Sequence, residues 1–295
     1  MAQTLAPTNR KETATAENVD FGTIKLSSTS PFMGRTDIEY LPPFTKEMLE
    51  NITSMTDYFN GCTALKKVVL PKDNKTITYL IRTFANCTNL ERAVLPDNLD
   101  KIYSAVQAFR YCGKLQSIIM PNLPFKETGG LNGTFDGCTA LKSATIGDIA
   151  GEASVNYVFT NCTSLETVIL GDWSDVQITG NYKFYRAFNN CKAVKNFSVK
   201  KLPMIDFPAH VGFSVMSQLA PQSYANIFAA LPCNTGDSEL TIYLNATSLN
   251  AAKATTGKYT ATDVYDTTTK KEQSKSLTIN DWITAATNKG WIINS

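Results

Sequence analysis

The chain has a single histidine, His210, among its 295 residues. That scarcity removes most metal-centre and catalytic-triad chemistries at the outset. No apolar run approaches the roughly 20 residues needed to span a bilayer, so no membrane insertion is expected. Charge is also scarce: charged residues make up 18% of the chain and the formal net charge is +2, too little to drive binding to nucleic acid or to an anionic membrane. There is no Gly-x-Gly-x-x-Gly, no phosphate-binding loop and no Gly-x-Ser-x-Gly elbow. Acidic residues are scattered singly, with no pair to assign as general acid and base. These absences argue against an enzyme, and no catalytic residue, metal or cofactor is expected. The first 20 residues, Met1 to Asp20, are polar and lack the apolar core of a secretory leader. Such a start is expected of a chain that is not exported by that route, or of one whose leader has been removed.

What the chain has instead is repetition, the first thing to seek in a sequence. The phrase Phe-x-x-Cys-x-x-Leu occurs at Phe59/Cys62/Leu65, Phe84/Cys87/Leu90, Phe109/Cys112/Leu115, Phe135/Cys138/Leu141 and Phe159/Cys162/Leu165. A sixth copy, Phe188/Cys191/Val194, carries one conservative change. Steps between the phenylalanines are 25, 25, 26, 24 and 29 residues, and a leading copy without cysteine, Phe32/Arg35/Ile38, lies 27 residues before Phe59. After each phrase comes a short apolar run, such as Val68-Val69-Leu70 or Ile118-Ile119-Met120, with a proline or glycine stop in most copies. These runs read as short strands. Four residues before each phenylalanine stands another apolar residue (Met55, Leu80, Ala105, Leu131, Val155 or Phe184). That i, i+4 spacing predicts a short helical turn. One unit alone cannot bury its apolar side. Stacked units can, with their strands aligned in a parallel sheet.

The Phe-x-x-Cys-x-x-Leu phrases and apolar-Pro strand ends, from about Phe32 to Val199, resemble the BspA-like leucine-rich repeats of bacterial and protist surface proteins and of phage-encoded structural proteins. The expected fold is an α/β repeat: a leucine-rich-repeat solenoid with short parallel strands, helical turns and an α/β C-terminal cap. Its expected divisions are a polar N-terminal arm (1–30), the repeat array (31–205) and the cap (206–295). Within the cap, residues 223–232 read as a helix with a proline stop, 239–244 as a strand, 279–288 as a helix stopped by Gly290, and 291–293 as a final strand. The Ala-Thr-Asn-Lys-Gly-Trp run at 286–291 is similar to the segment that closes many such arrays. The Thr- and Lys-rich stretch at about 253–276 reads as an insertion, either a loop or a small hairpin.

Seven cysteines invite a metal or disulfide assignment. Six recur at one position per repeat, with none of the close pairing that zinc sites use and with Cβ vectors that all point the same way. They read as small buried side chains filling a corner, while Cys233 marks a loop. Asn-x-Thr triplets recur, those at Asn51, Asn86, Asn132, Asn161 and Asn245 among them; in a secreted eukaryotic protein they would read as glycosylation acceptors, but asparagine at Asn86 and Asn161 suits a tight corner between structural elements. His210 has no ligand partner near it in sequence.

One feature points outward. If the first and third residues of each strand face the core, the middle ones face away. Val69, Val94, Ile119, Thr145 and Ile169, followed by Ser198, then form a largely β-branched stripe on the outer face. Sheet propensity alone accounts for such residues; an apolar partner-binding strip is the functional alternative. The flanking Lys67, Arg92, Ser117, Ser143, Thr167 and Asn196 begin basic and turn neutral, which is no continuous track for phosphates. The resemblance implies adhesion or recognition, with a protein or glycan partner and no nucleic acid. The expected function is a non-enzymatic recognition or scaffold protein on the exterior of a particle or cell. The absent leader and polar arm favour a phage virion or tail appendage, with residues 1–30 making assembly contacts. A secreted or surface-anchored bacterial adhesin is the alternative.

Overall fold

In the computed structural model, residue 26 and residues 30–125, 130–177, 184–203, 212–234, 236, 239–263 and 265–295 are described. Nearly all of the polar arm lies outside these residues, and so does His210.

The array is a stack in which each repeat pairs with the next. Its strands are β1 (Lys67–Val69), β2 (Arg92–Val94), β3 (Ser117–Met120), β4 (Leu123–Phe125), β5 (Ser143–Ile146), β6 (Ile149–Glu152), β7 (Thr167–Asp172), β8 (Val176–Gln177) and β9 (Asn196–Lys201). All of their pairings are parallel. The main sheet comes in two ladders, β1-β2 and β3-β5-β7-β9, and a second sheet, β4-β6-β8, runs along another side. Registers are unshifted from repeat to repeat: Ile118 faces Ala144, which faces Val168, which faces Phe197. The repeat solenoid expected from the phrases is therefore present, and the second sheet is an addition. Its strands are short, and one holds a proline (Pro124), so they carry no alternating pattern that a reader of sequence would pick out.

The segment before each cysteine differs in detail from a helical turn. Here alternate N–H groups leave the repeat altogether. Those of Met55, Asp57, Phe59 and Gly61 donate to the carbonyls of Tyr79, Ile81, Thr83 and Ala85, and the set recurs one repeat later from Leu80, Arg82, Phe84 and Asn86. The N–H groups in between close tight turns, such as Tyr58 to Met55 and Cys62 to Phe59. This zigzag requires left-handed residues two before and two after each phenylalanine, for example Asp57 (φ 56°) and Gly61 (φ 78°), or Arg82 (φ 50°) and Asn86 (φ 60°). Such conformations cost a non-glycine residue roughly 1–2 kcal/mol each. The inter-repeat hydrogen bonds offset that cost, so a repeat without a neighbour has little reason to hold this shape. Apolar spacing alone cannot distinguish this arc from a helix, because both bury residues four apart. Among the described residues before Gly212, the regular helical element is a single 3-10 turn, Glu47–Leu49.

Two columns run through the core. The phenylalanine rings stack face to face from Phe32 through Phe59, Phe84, Phe109, Phe135, Phe159 and Phe188 to Phe213, with centroids 5.0–5.6 Å apart. Aromatic pairs of this kind add about 0.5–1.5 kcal/mol beyond the area they bury. Beside them, each cysteine thiol donates to the carbonyl of the preceding repeat's phenylalanine: Cys87 to Phe59 (3.0 Å), Cys112 to Phe84 (3.0 Å), Cys162 to Phe135 (3.1 Å). Cysteine suits this corner because it is small, apolar enough to bury and still a weak donor.

The C-terminal region adds α1 (Pro221–Ala230), β10 (Leu240–Tyr243), α2 (Ala246–Lys253), β11 (Tyr259–Asp263), β12 (Gln273–Leu277), α3 (Ile279–Asn288) and β13 (Trp291–Asn294). Helix α1 covers the open edge of β9. Ser223 Oγ accepts from Phe197 N–H and donates to Lys195 O, and Asn226 Nδ2 donates to Phe197 O. An exposed strand edge would otherwise invite further pairing. Strands β10 and β13 pair in parallel, and β11 and β12 form an antiparallel hairpin. The stretch at about 253–276, for which the sequence left a loop or a small hairpin open, holds this hairpin. Helix α2 has no counterpart in the sequence reading, although Asn245 capping Ser248 N–H is a recognisable start signal.

Candidate binding surface

The outer face of the main sheet presents three parallel lanes, because in-register pairing places equivalent residues of successive repeats side by side about 4.8 Å apart. The first lane, just before the strands, holds Glu39, Lys66, Glu91, Gln116, Lys142, Glu166 and Lys195. It tends to alternate in sign and partly pairs with itself: Lys66 Nζ lies 2.7 Å from Glu39 Oε2, and Lys195 Nζ lies 3.8 Å from Glu166 Oε2. The second lane is Lys67, Arg92, Ser117, Ser143, Thr167 and Asn196, and the third is Val69, Val94, Ile119, Thr145, Ile169 and Ser198.

The third lane is the stripe expected from the sequence, and it does face away from the core. It is uneven. Ile119 is 72% exposed and Ile169 45% exposed; Ser198 is exposed, while Val69, Val94 and Thr145 are half-buried. The inward partners Val68, Ile118, Ala144 and Val168 are buried. Ile119 and Ile169 lie on one ladder, in register through Thr145; Val69 and Val94 lie on the other. The stripe is thus strongest across β3, β5 and β7.

At its far end the sheet meets the hairpin. A concavity of about 360 Å³ is lined by Ser198, Lys200, Lys201, Asn226, Thr262 and Glu272, among others. Its lysines are already occupied: Lys201 Nζ lies 2.8 Å from Glu272 Oε1 and 3.5 Å from Asp172 Oδ2, and Lys200 Nζ lies 3.9 Å from Asp148 Oδ2.

The hairpin is held by a buried charge cluster. Lys289 and Asp263 have side chains 1% and 2% exposed, and Lys289 Nζ lies 2.6 Å from Asp263 Oδ1. The same ammonium donates to the carbonyls of Leu231 (2.9 Å), Ala229 (3.0 Å) and Phe228 (3.3 Å), the open C-terminal end of α1. Burial pulls the Lys289 ammonium below the usual lysine range, against the opposing effect of the hydrogen bond it donates to Asp263. Lys275 pairs with the other oxygen of Asp263 and with Asp266. Every donor and acceptor here has a structural partner. Lys289 and Trp291, both within the run at 286–291, bind the end of α1, because Trp291 Nε1 donates to Pro232 O at 2.8 Å.

All seven cysteines are free thiols. Burial pushes the Cys191 thiol up to about 12 and drives Cys112, Cys138 and Cys162 upward as well. A thiolate nucleophile is strongly disfavoured at these positions. Among the described residues, no group of three or more His, Cys, Asp or Glu side chains is arranged to hold a metal ion, and no helix is long and apolar enough to cross a membrane. Asn86 and Asn161 both adopt φ 60°, so the corner explanation for asparagine there has a direct geometric basis.

The family model for BspA-type leucine-rich repeat regions matches residues 45–131 and 107–209, with six copies. The chain belongs to this family. The match covers the cysteine column and the phenylalanine column from Phe59 to Phe188, and it stops past the end of β9, before the C-terminal helices. No curated protein matches the chain. Leucine-rich repeats of the BspA type generally mediate protein binding, and proteins that carry them are often associated with surfaces.

Proposed function

We propose that this BspA-type repeat protein is a non-enzymatic recognition module, displayed on the exterior of a particle or cell, that binds a partner through the outer face of its main sheet. The observation that carries the reading is the pair Ile119 and Ile169. They are large, apolar and well exposed, at 72% and 45%, on a ladder whose hydrogen bonding fixes their spacing. Leaving two isoleucines in water gives up burial worth roughly 1.5–3 kcal/mol each, and no described residue covers them. Small polar neighbours (Ser117, Ser143, Thr167) offer little steric barrier to a partner.

The test is a variant carrying Ile119→Lys and Ile169→Lys. Both side chains already face water, so it should keep the wild-type melting temperature. Adsorption of the fluorescently labelled protein to target cells should fall by about tenfold or more, the loss of roughly 1.4 kcal/mol or above. Undiminished adsorption would remove the face from consideration. Display on a phage virion or tail appendage and display as a bacterial adhesin both use the same surface. Nearly all of the polar arm that favours the virion lies outside the described residues, so the choice rests on location. Immunogold labelling of the native source distinguishes them: label on tailed particles supports the virion, and label on the cell envelope supports the adhesin.

A further inference from the structure

The second lane of the sheet holds an electrostatic mismatch. Lys67 and Arg92 are exposed and directly opposite in the β1-β2 register. Like charges in that position repel. Neither side chain has an ion pair or hydrogen bond among the described residues, whereas Lys66, one residue away, is matched to Glu39 at 2.7 Å. The first lane therefore satisfies part of its charge by alternating sign, while the second places two cations together and then continues with four uncharged residues. The aromatic Tyr40, 42% exposed, borders the pair through its bridge to Lys67.

We propose that Lys67 and Arg92 together bind a carboxylate from an acidic, partly apolar segment of a partner protein, and that the apolar side chains of the same segment lie on Ile119 and Ile169. The inference rests on the reading of this face as the binding surface and specifies the chemistry of its ligand. A carboxylate between the two cations removes their repulsion and makes charge-assisted hydrogen bonds to both. From the middle of the pair to Ile119 is about 10 Å, and from Ile119 to Ile169 is two strand spacings, again about 10 Å. An extended polyproline II segment repeats its facing side chains every three residues, about 9 Å. The expected motif is thus Asp or Glu, then an apolar residue three or four positions on, then another. A glycan suits the face less well. The outward rows of β3, β5, β7 and β9 carry no aromatic platform for a sugar ring, the Tyr40 ring at the edge has Lys66 Nζ over it at 5.2 Å, and exposed isoleucines offer the hydroxyls no partner. A nucleic acid needs charge that continues beyond two strands.

The test pans a random displayed-peptide library against the full chain and measures the enriched peptides by biolayer interferometry on wild type, Lys67→Glu, Arg92→Ala and Ile119→Lys/Ile169→Lys. The expected result is enrichment of the acidic-apolar motif, with about tenfold weaker binding to Lys67→Glu and to Arg92→Ala. Lys67→Glu places opposite charges across the ladder, so it should melt no lower than wild type; lost binding in that variant cannot be lost folding. Absence of an acidic motif overturns the proposal, as does binding that is indifferent to Lys67 and Arg92. Binding of sialylated or uronic-acid glycans on an array, in place of peptides, also overturns it. Failure of this inference is separable from failure of the surface itself. If cell adsorption is lost in the isoleucine variant but kept in Lys67→Glu, the face stands and the acidic ligand falls. If both variants adsorb normally, both fall.

Discussion

The array and the C-terminal unit solve the same problem, burying a core, by opposite means. In the array, each contact is one of a series: a stacked phenylalanine, a thiol on a carbonyl, an N–H sent to the next repeat. Most of these contacts are uncharged, and no single one is unique. The C-terminal unit uses conventional helices and depends on groups that occur once. Lys289, with Trp291, closes the end of α1, and Asp263, with the Gln222–Thr260 bond, ties the hairpin to it. A translational stack has no internal reason to stop, so its end needs a structure that does not repeat. The comparison also locates function. Where the array repeats perfectly it is explained by stacking; recognition is to be sought where its outer lanes break the pattern, at Lys67, Arg92, Ile119 and Ile169.

Three experiments test that contrast. The largest effect is expected from Lys289→Met, which leaves Asp263 buried opposite Lys275 alone and removes three bonds at the C-terminal end of α1. Breaking a buried ion pair by removing one partner costs about 3–5 kcal/mol. Chemical denaturation should show that loss, and hydrogen exchange should place it in α1, α3 and the hairpin, with the central repeats least changed. An equal loss of protection across all repeats would mean that array and end unit unfold as one. A smaller effect is expected from Cys87→Ser. The hydroxyl keeps a donor near Phe59 O but is more costly to bury than a thiol, by about 1–3 kcal/mol. Its melting temperature should fall while adsorption per folded molecule stays at wild type. An unchanged melting curve would show that the corner tolerates a hydroxyl as well as a thiol.

The smallest effect is on pH dependence. Lys275 beside Asp266 holds that carboxyl well below the usual carboxylate range. A depressed carboxylate contributes stability that is complete above its unfolded pKa of about 3.9 and is lost as the pH falls through the folded value. Acidification below about pH 4 should therefore loosen the hairpin ahead of the array, where the depressed carboxylates Asp37, Asp57 and Asp172 are spread over separate repeats and the thiol and phenylalanine columns they flank are uncharged. Cleavage after Lys270 or Lys271 by an acid-tolerant protease reads this out. Simultaneous loss of array and hairpin would contradict it.

Much of this architecture was legible in the residues. The phenylalanine and cysteine spacing gives the stack, and the strand alternation places Val68 inward and Val69 outward. Gly290 and Pro232 mark ends that α3 and α1 respect. Other features were not. The arc around each cysteine carries the i, i+4 signature of a helix, yet its N–H groups serve the next repeat, a choice that no single repeat can reveal. The β4-β6-β8 sheet leaves no alternation to read. Lys289 looks like an ordinary surface lysine near a helix end, and only the fold brings α1 and Asp263 around it.

Among the charged residues the division is the same. The sequence by itself determined that one unit repeats, which residues fill its core, and which face water, because those follow from local spacing and hydrophobicity. Only the tertiary structure decided which cations find an anion. Lys66 meets Glu39 across 27 residues of chain, while Lys67, its neighbour, meets Arg92. Pairing across repeats depends on register, and register is a property of the stack rather than of the unit.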